Sequence, residues 1–268
     1  MFRTRPFNHI EVGRTTVTKR SSTSKYIEGE IYFYNNLIET YKNYFPKIYY
    51  TSSELNTIKM EKIAGNTFSD LYTHNRLDIE SFISILHILK KFHSVCEFEE
   101  NIFNPIDING NYINKILNRR KIFDYSTIDN ELTWNKIYEF LHKYEQQHKV
   151  SVFVHGDPVF TNIILTYDGK YKFIDPRGKV GELNTIFGDA NYDWAKVYQS
   201  VIGYDHILAE QSVDKIKMQE FKNVFFEETE TDPEVIKPLT ASLLYSLIPL
   251  HDKHHQKFLN LIYKEDLL

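Results

Sequence analysis

"HGDPVFTNIILTYDGKYKFID", residues His155 to Asp175, decides how the rest of the chain is read. It holds two strand-like runs, and "YDGK" between them carries the Asp-Gly pair favoured in two-residue hairpin turns. With Asp168 and Gly169 as the turn, Asn162 falls opposite Asp175 at the open end of the hairpin. Asp157 precedes Asn162 on the loop that leaves another strand-like run, "SVFV". Two carboxylates and an amide then converge with no cation close by in sequence. Such a set of hard oxygen donors suits Mg²⁺ carrying a nucleotide phosphate.

The chain around this segment has 268 residues, 42% of them hydrophobic and 25% charged, with a formal net charge of −4. That balance suits a globular protein with ample core material and excludes disordered and fibrous classes. The slight acidity and the lack of a dense Lys/Arg block argue against nucleic acid as a partner. No run reaches the roughly 18 apolar residues of a membrane span, so no membrane insertion is expected. The opening "MFRTRPFNHIEVGR" lacks an apolar leader and the single cysteine, Cys96, cannot form an internal disulfide; both suggest a cytoplasmic protein. Cys96 reads as a small packing residue after a helix.

Upstream, "TTVTK" alternates as a strand, with Val17 and Lys19 on one face. "KYIEGEIYFYNNLIE" places Ile27, Ile31, Tyr34 and Ile38 at helical spacing behind a Ser/Thr cluster that offers N-caps. Glu30 lies in the apolar arc and should point inward, whereas Glu28 lies off it. "PKIYYTS" and "NTIKMEKI" read as strands joined over "SELN", and "AGNTFSDLY" as a linker into a short helix. Beyond Asp78, a helical face carries Phe82, Leu86, Leu89 and His93. Residues 111–150 read as helical with a loop near "DYSTIDNE", as do Tyr192 to Val201 and Pro233 to Tyr263.

"HGDPVFTN" followed by "FIDPRG" resembles the catalytic and metal-binding loops of the aminoglycoside phosphotransferase and choline kinase family, which shares the protein-kinase fold. The resemblance extends to Lys19, Glu30, "MEKIAG" as a hinge and "LKKFHS" as the helix before an insertion. It implies an α+β, two-lobed fold: a small β-rich N-terminal lobe over 1–64, and a larger, mainly α C-terminal lobe over 65–268. It also implies ATP and Mg²⁺ as cofactors. Asp157 would orient the acceptor hydroxyl and take its proton, with His155 bracing the catalytic loop; Asn162 and Asp175 would hold Mg²⁺. Lys19 would meet the α/β-phosphates while paired with Glu30, and Met60, Glu61 and Ile63 would line the nucleotide at the hinge. Asp189 and Asp193, in "GDANYDWAKV", match a post-loop acidic motif, and Asp193 would tether the loop backbone.

The sequence departs from the family pattern in two places. Only Gly13 precedes Lys19 within reach, so "FRTRPFNHIEVG" must supply the first hairpin without a Gly-rich loop. "DPRG" follows the metal aspartate, where Pro176 stiffens the loop and Arg177 adds a positive charge near the substrate. This variant is most like phosphotransferases of bacterial capsule or lipopolysaccharide biosynthesis. The expected activity is transfer of phosphate to a hydroxyl of a small molecule, a sugar or polyol ahead of choline, an amino alcohol or an aminoglycoside. A catalytically silent nucleotide-binding scaffold is the competing reading. "HDKHHQK" and "EETETDPE" read as a solvated helix face and an exposed loop.

Overall fold

The computed structural model describes residues 8–23, 25, 27–96, 109–129 and 131–268. Strands β1 (Asn8–Val12), β2 (Thr16–Ser21), β3 (Ile48–Ser52) and β4 (Thr57–Glu61) form an antiparallel sheet in the order β1-β2-β4-β3. The first hairpin therefore forms without a Gly-rich loop, closed where Gly13 N donates to Thr16 O at 2.8 Å. Residues 2–7 of the expected hairpin segment lie outside the described residues. In β2, Lys19 is buried while its neighbour Arg20 is exposed, so the alternation aims the lysine beneath the sheet.

Helix α1 (Glu28–Asn35) packs below, and Glu30 does point inward, 5% exposed. It is shorter than its apolar spacing suggested. The Asn36 amide donates to Tyr32 O at 2.8 Å and closes the helix, so Ile38 falls beyond it. The N-cap position holds Ile27 with no side-chain cap; Glu28 and Glu30 in the first turn favour that end instead.

The linker "AGNTFSDLY" contains a strand that sequence reading missed. β5 (Gly65–Thr67) leads into α2 (Phe68–Thr73), and α3 (Ile79–His93) follows with Asp78 as its N-cap. Cys96 is exposed, not packed, and its backbone bridges Val152. Then come α4 (Ile113–Arg120), α5 (Leu132–Glu145), β6 (Val152–Phe153), β7 (Ile163–Thr166) and β8 (Tyr171–Phe173). β5, β7 and β8 form a three-stranded sheet. β9 (Lys179–Val180) pairs with β10 (Leu183–Asn184), and β11 (Phe187–Gly188) pairs with β6.

Helices α6 (Ala190–Val201), α7 (Tyr204–Ala209), α8 (Lys215–Thr229), α9 (Pro233–Leu247) and α10 (His255–Lys264) complete the larger lobe. The long helix expected from Pro233 to Tyr263 breaks at a 3₁₀ turn over Ile248–Leu250, where Pro249 has no N–H to give. His251 and His255 consequently do not share a helix. "EETETDPE" turns the corner from α8 to α9, with Glu230 left-handed and Asp232 capping α9. Between the lobes, Phe33 of α1 packs 5.2 Å from Phe45 and 5.6 Å from Phe153, ring centre to ring centre. Phe45 in turn stacks on Phe92 of α3 at 5.8 Å, so one aromatic core joins the sheet lobe to the helical lobe.

Candidate active site

The hairpin that organises the site has a different turn from the one the sequence suggests. Ile163 pairs with Phe173, Ile164 with Lys172 and Leu165 with Tyr171. The loop is thus three residues long, Tyr167 to Gly169, and Asn162 lies opposite Ile174, whose N donates to Asn162 O at 2.9 Å. Gly169 takes φ +78°, and Thr166 Oγ1 both accepts from Lys170 N and donates to Asp168 Oδ1. A first turn closed by a left-handed glycine is the other common hairpin solution, and it shifts register by one residue.

That shift would send Asp175 to the face opposite Asn162 if the strand continued. It does not continue: Asp175 has φ +54°, which abandons the alternation. Its carboxylate lies 3.2 Å from Lys19 Nζ, and Lys19 donates to Glu30 at 2.5 Å. Side chains from β2, α1 and the loop after β8 thereby meet across the two lobes. Burial alone would depress the Lys19 ammonium, but Glu30 and then Asp175 outweigh burial and hold it above its ordinary range. Lys19 is charged at any working pH.

Asp193 organises the loop before the hairpin. Its buried carboxylate accepts from His155 N at 2.8 Å and Gly156 N at 2.7 Å, and His93 Nε2 lies 3.2 Å away. His155 is fully buried against Phe45 and Phe173, and its Nδ1 accepts from Asp157 N at 3.2 Å. Burial pushes its pKa down, so the ring is neutral and acts on the backbone of the loop. The side chain of Asn162 donates to Asp157 O at 2.9 Å, tying those two expected site residues together. Asp157 itself is a third exposed, with Lys196 Nζ 3.0 Å from Oδ1.

Other expected residues are placed less directly. Met60 is buried under the sheet, while Glu61 Oε2 accepts from Lys47 N at 3.1 Å. Ile63 lies on the strap between β4 and β5, held by Lys62 N donating to Thr15 O and Tyr167 N donating to Ala64 O. Asp189 caps α6 through Asn191 N and accepts from the hydroxyls of Tyr112 and Tyr144 at 2.7 and 2.6 Å. Arg177 donates to the Tyr192 hydroxyl at 2.7 Å.

Sequence reading missed Lys196, which contacts Asp157, and Lys115 and Tyr192, which cluster with Arg177. One signal was available. Asp189, Tyr192, Asp193 and Lys196 recur at helical spacing on the inward side of "GDANYDWAKVYQSV", where a merely packing helix would carry apolar residues.

No family model matches the chain, and no curated protein matches it. Solved structures do. The choline kinase LicA from Streptococcus pneumoniae superimposes with a TM-score of 0.66 at 14% identity, covering 98% of this chain and 92% of that one. A glucosamine kinase gives 0.65 at 12% identity over 96% of this chain and 74% of that one. The GDP and kanamycin complex of the aminoglycoside phosphotransferase APH(2")-IIia gives 0.62 at 11% identity, with 99% and 91% covered. The chain therefore has the two-lobed, protein-kinase-like fold that choline kinase and aminoglycoside phosphotransferase structures share.

Proposed function

We propose that this chain is an ATP- and Mg²⁺-dependent kinase that phosphorylates a hydroxyl of a small molecule, a sugar or polyol. The observation that carries the reading is the Lys19–Glu30–Asp175 ion cluster, which ties the sheet lobe to the loop following β8. In this reading Lys19 orients the nucleotide phosphates, and the end of β4 with Met60 and Glu61, together with the strap carrying Ile63, flanks the base. Asp157 orients the acceptor hydroxyl and receives its proton, while Lys196 holds its Oδ1 at 3.0 Å. His155 and Asp193 keep the loop in place.

The donor set fits Mg²⁺. Asp175 is partly exposed, and Asn162 spends its amide nitrogen on Asp157 O while Oδ1 has only a long contact, 3.4 Å, from the Thr161 hydroxyl. One carboxylate and one amide oxygen suit a hard ion that keeps phosphate and water as its remaining ligands. When bound there it would neutralise charge on the nucleotide phosphates. The Asp-Pro-Arg-Gly variant ties the reading to phosphotransferases of capsule or lipopolysaccharide assembly.

The test is calorimetric binding of Mg·ATP, followed by ADP release with sugars, polyols, amino alcohols and aminoglycosides as acceptors. Acceptor-dependent ADP release that Asp175→Ala abolishes is the expected result. A wild-type chain that binds no Mg·ATP would sink the assignment.

A further inference from the structure

Beside Asp157, three elements bring cations to one phenol. Arg177, on the loop after β8, and Lys115, on α4, both donate to the Tyr192 hydroxyl, at 2.7 and 3.0 Å. The Arg177 guanidinium and Lys115 ammonium also lie 5.7 and 5.4 Å from the Tyr192 ring centre, and Lys196 Nζ lies 5.9 Å from it. Tyr192 is 4% exposed and Lys196 6%. Among the described residues, the carboxylate that touches this cluster is Asp157, through Lys196. Asp189 lines the same hollow as Arg177 and Tyr192, but it is occupied by two phenols and the start of α6.

Among the described residues, three cations with one contacting carboxylate, all at least partly withdrawn from water, form a costly cluster unless an anion joins it. The strain shows in the groups themselves. Burial, with repulsion from Lys196 and Arg177, pushes Lys115 down to about 8 even though Tyr192 pulls the other way. Burial would raise Tyr192, yet Arg177, Lys115 and Lys196 together pull it down to about 7. The Tyr192 hydroxyl oxygen accepts from both Arg177 and Lys115, the position an anionic oxygen would take. An arginine fork and a lysine converging on one oxygen are also what a phosphate or carboxylate group would use.

We infer that Arg177, Lys115, Lys196 and Tyr192 form a subsite for an oxyanion carried by the acceptor, so that the substrate is an anionic polyol whose free hydroxyl is presented to Asp157. The inference rests on the kinase reading above and names the substrate class of the same site. Charge favours a phosphate monoester over a carboxylate, since a dianion matches the excess of cations. The similarly folded structures include a choline kinase and complexes with glucosamine and kanamycin, and all three small molecules bear cationic groups. Among the described residues, the cluster around Tyr192 carries the opposite sign.

The experiment compares kcat/KM of the full chain for a sugar phosphate, the corresponding sugar acid, the neutral sugar, and the cationic acceptors choline, glucosamine and kanamycin, with Mg·ATP affinity measured separately. The sugar phosphate should exceed its neutral parent by about 10- to 100-fold, the worth of one or two charge-assisted hydrogen bonds. Arg177→Gln and Lys115→Gln should each raise KM for that acceptor while leaving Mg·ATP affinity as it was. A preference for the sugar acid supports the subsite and makes carboxylate its occupant. A neutral or cationic acceptor turned over best, or a preference for anions that survives both variants, overturns the inference. Inorganic phosphate provides the check that needs no turnover: it should bind the wild type and not the Arg177→Gln chain, and equal binding by the two also overturns it. Loss of Mg·ATP binding by the wild type would strike the kinase reading instead.

Discussion

At the scale of single residues, the site depends on carboxylates with different tasks. Asp157 is partly open to solvent, and Asp193 is sealed in with three donors around it. On the proposed reading, replacing Asp157 by Asn keeps the shape and removes the proton acceptor. Turnover should fall by roughly 10²- to 10⁴-fold with Mg·ATP affinity retained, the range typical of a lost general base. Steady-state kinetics beside nucleotide titration checks this, and an unchanged kcat removes Asp157 from the chemistry. Asp193→Ala should behave differently, because two buried backbone N–H groups lose their acceptor. Its cost is on the order of 2–5 kcal/mol of stability, read as a lowered urea midpoint together with lost activity. Much of this was legible: the spacing of Asp157, Asn162 and Asp175 singled them out. Lys115 and Tyr192 were not legible as partners, because α4 and α6 are far apart in sequence and only packing brings them together.

At the scale of elements, the hairpin and α1 hold the ion cluster in register. Strand alternation predicted the face of Lys19 and helical spacing that of Glu30, since both depend on local periodicity. The hairpin register was missed by one residue, because Asp-Gly serves both two- and three-residue turns and the Thr166 hydroxyl decides for the latter. Downstream of Asp175, the loop crosses α1 backbone to backbone. A Cβ on Gly178, at φ +60°, would lie 1.8 Å from Gly29 O, and one on Gly29 would lie 2.5 Å from Arg177 O. Gly178→Ala must therefore push α1, and Glu30 with it, away from Asp175. A displacement near 1 Å at such a cluster costs about 10²-fold in kcat/KM. Gly169→Ala is the control: φ is +78° there too, but nothing lies within 4 Å of the added Cβ. It should cost about 1–2 kcal/mol of stability from backbone strain and leave kcat/KM as it was. Equal kinetic losses in the two variants would refute the coupling of α1 to the loop.

At the scale of the whole molecule, one buried acid makes stability depend on pH. Asp205, in the first turn of α7, is fully buried and forms no ion pair among the described residues. Burial raises its pKa to about 6, outweighing the hydroxyls of Ser69 and Ser200, which favour the charged form. The unfolded chain ionises this group near its ordinary value of about 3.9. Between those two values the folded protein binds the proton and the unfolded chain does not, so folding is favoured on the acid side. That contribution is fully present below about pH 4 and lost as pH rises through about 6, amounting to on the order of 2–3 kcal/mol. Asp205→Asn keeps the shape without a charge to bury. It should match the wild type near pH 4 and exceed it at pH 8 by on the order of 1–3 kcal/mol, or several degrees in Tm. Thermal melts of both chains at the two pH values measure the gap directly. A gap that stays the same at both, or an Asn variant less stable at pH 8, would mean that Asp205 is ionised and compensated in the folded protein.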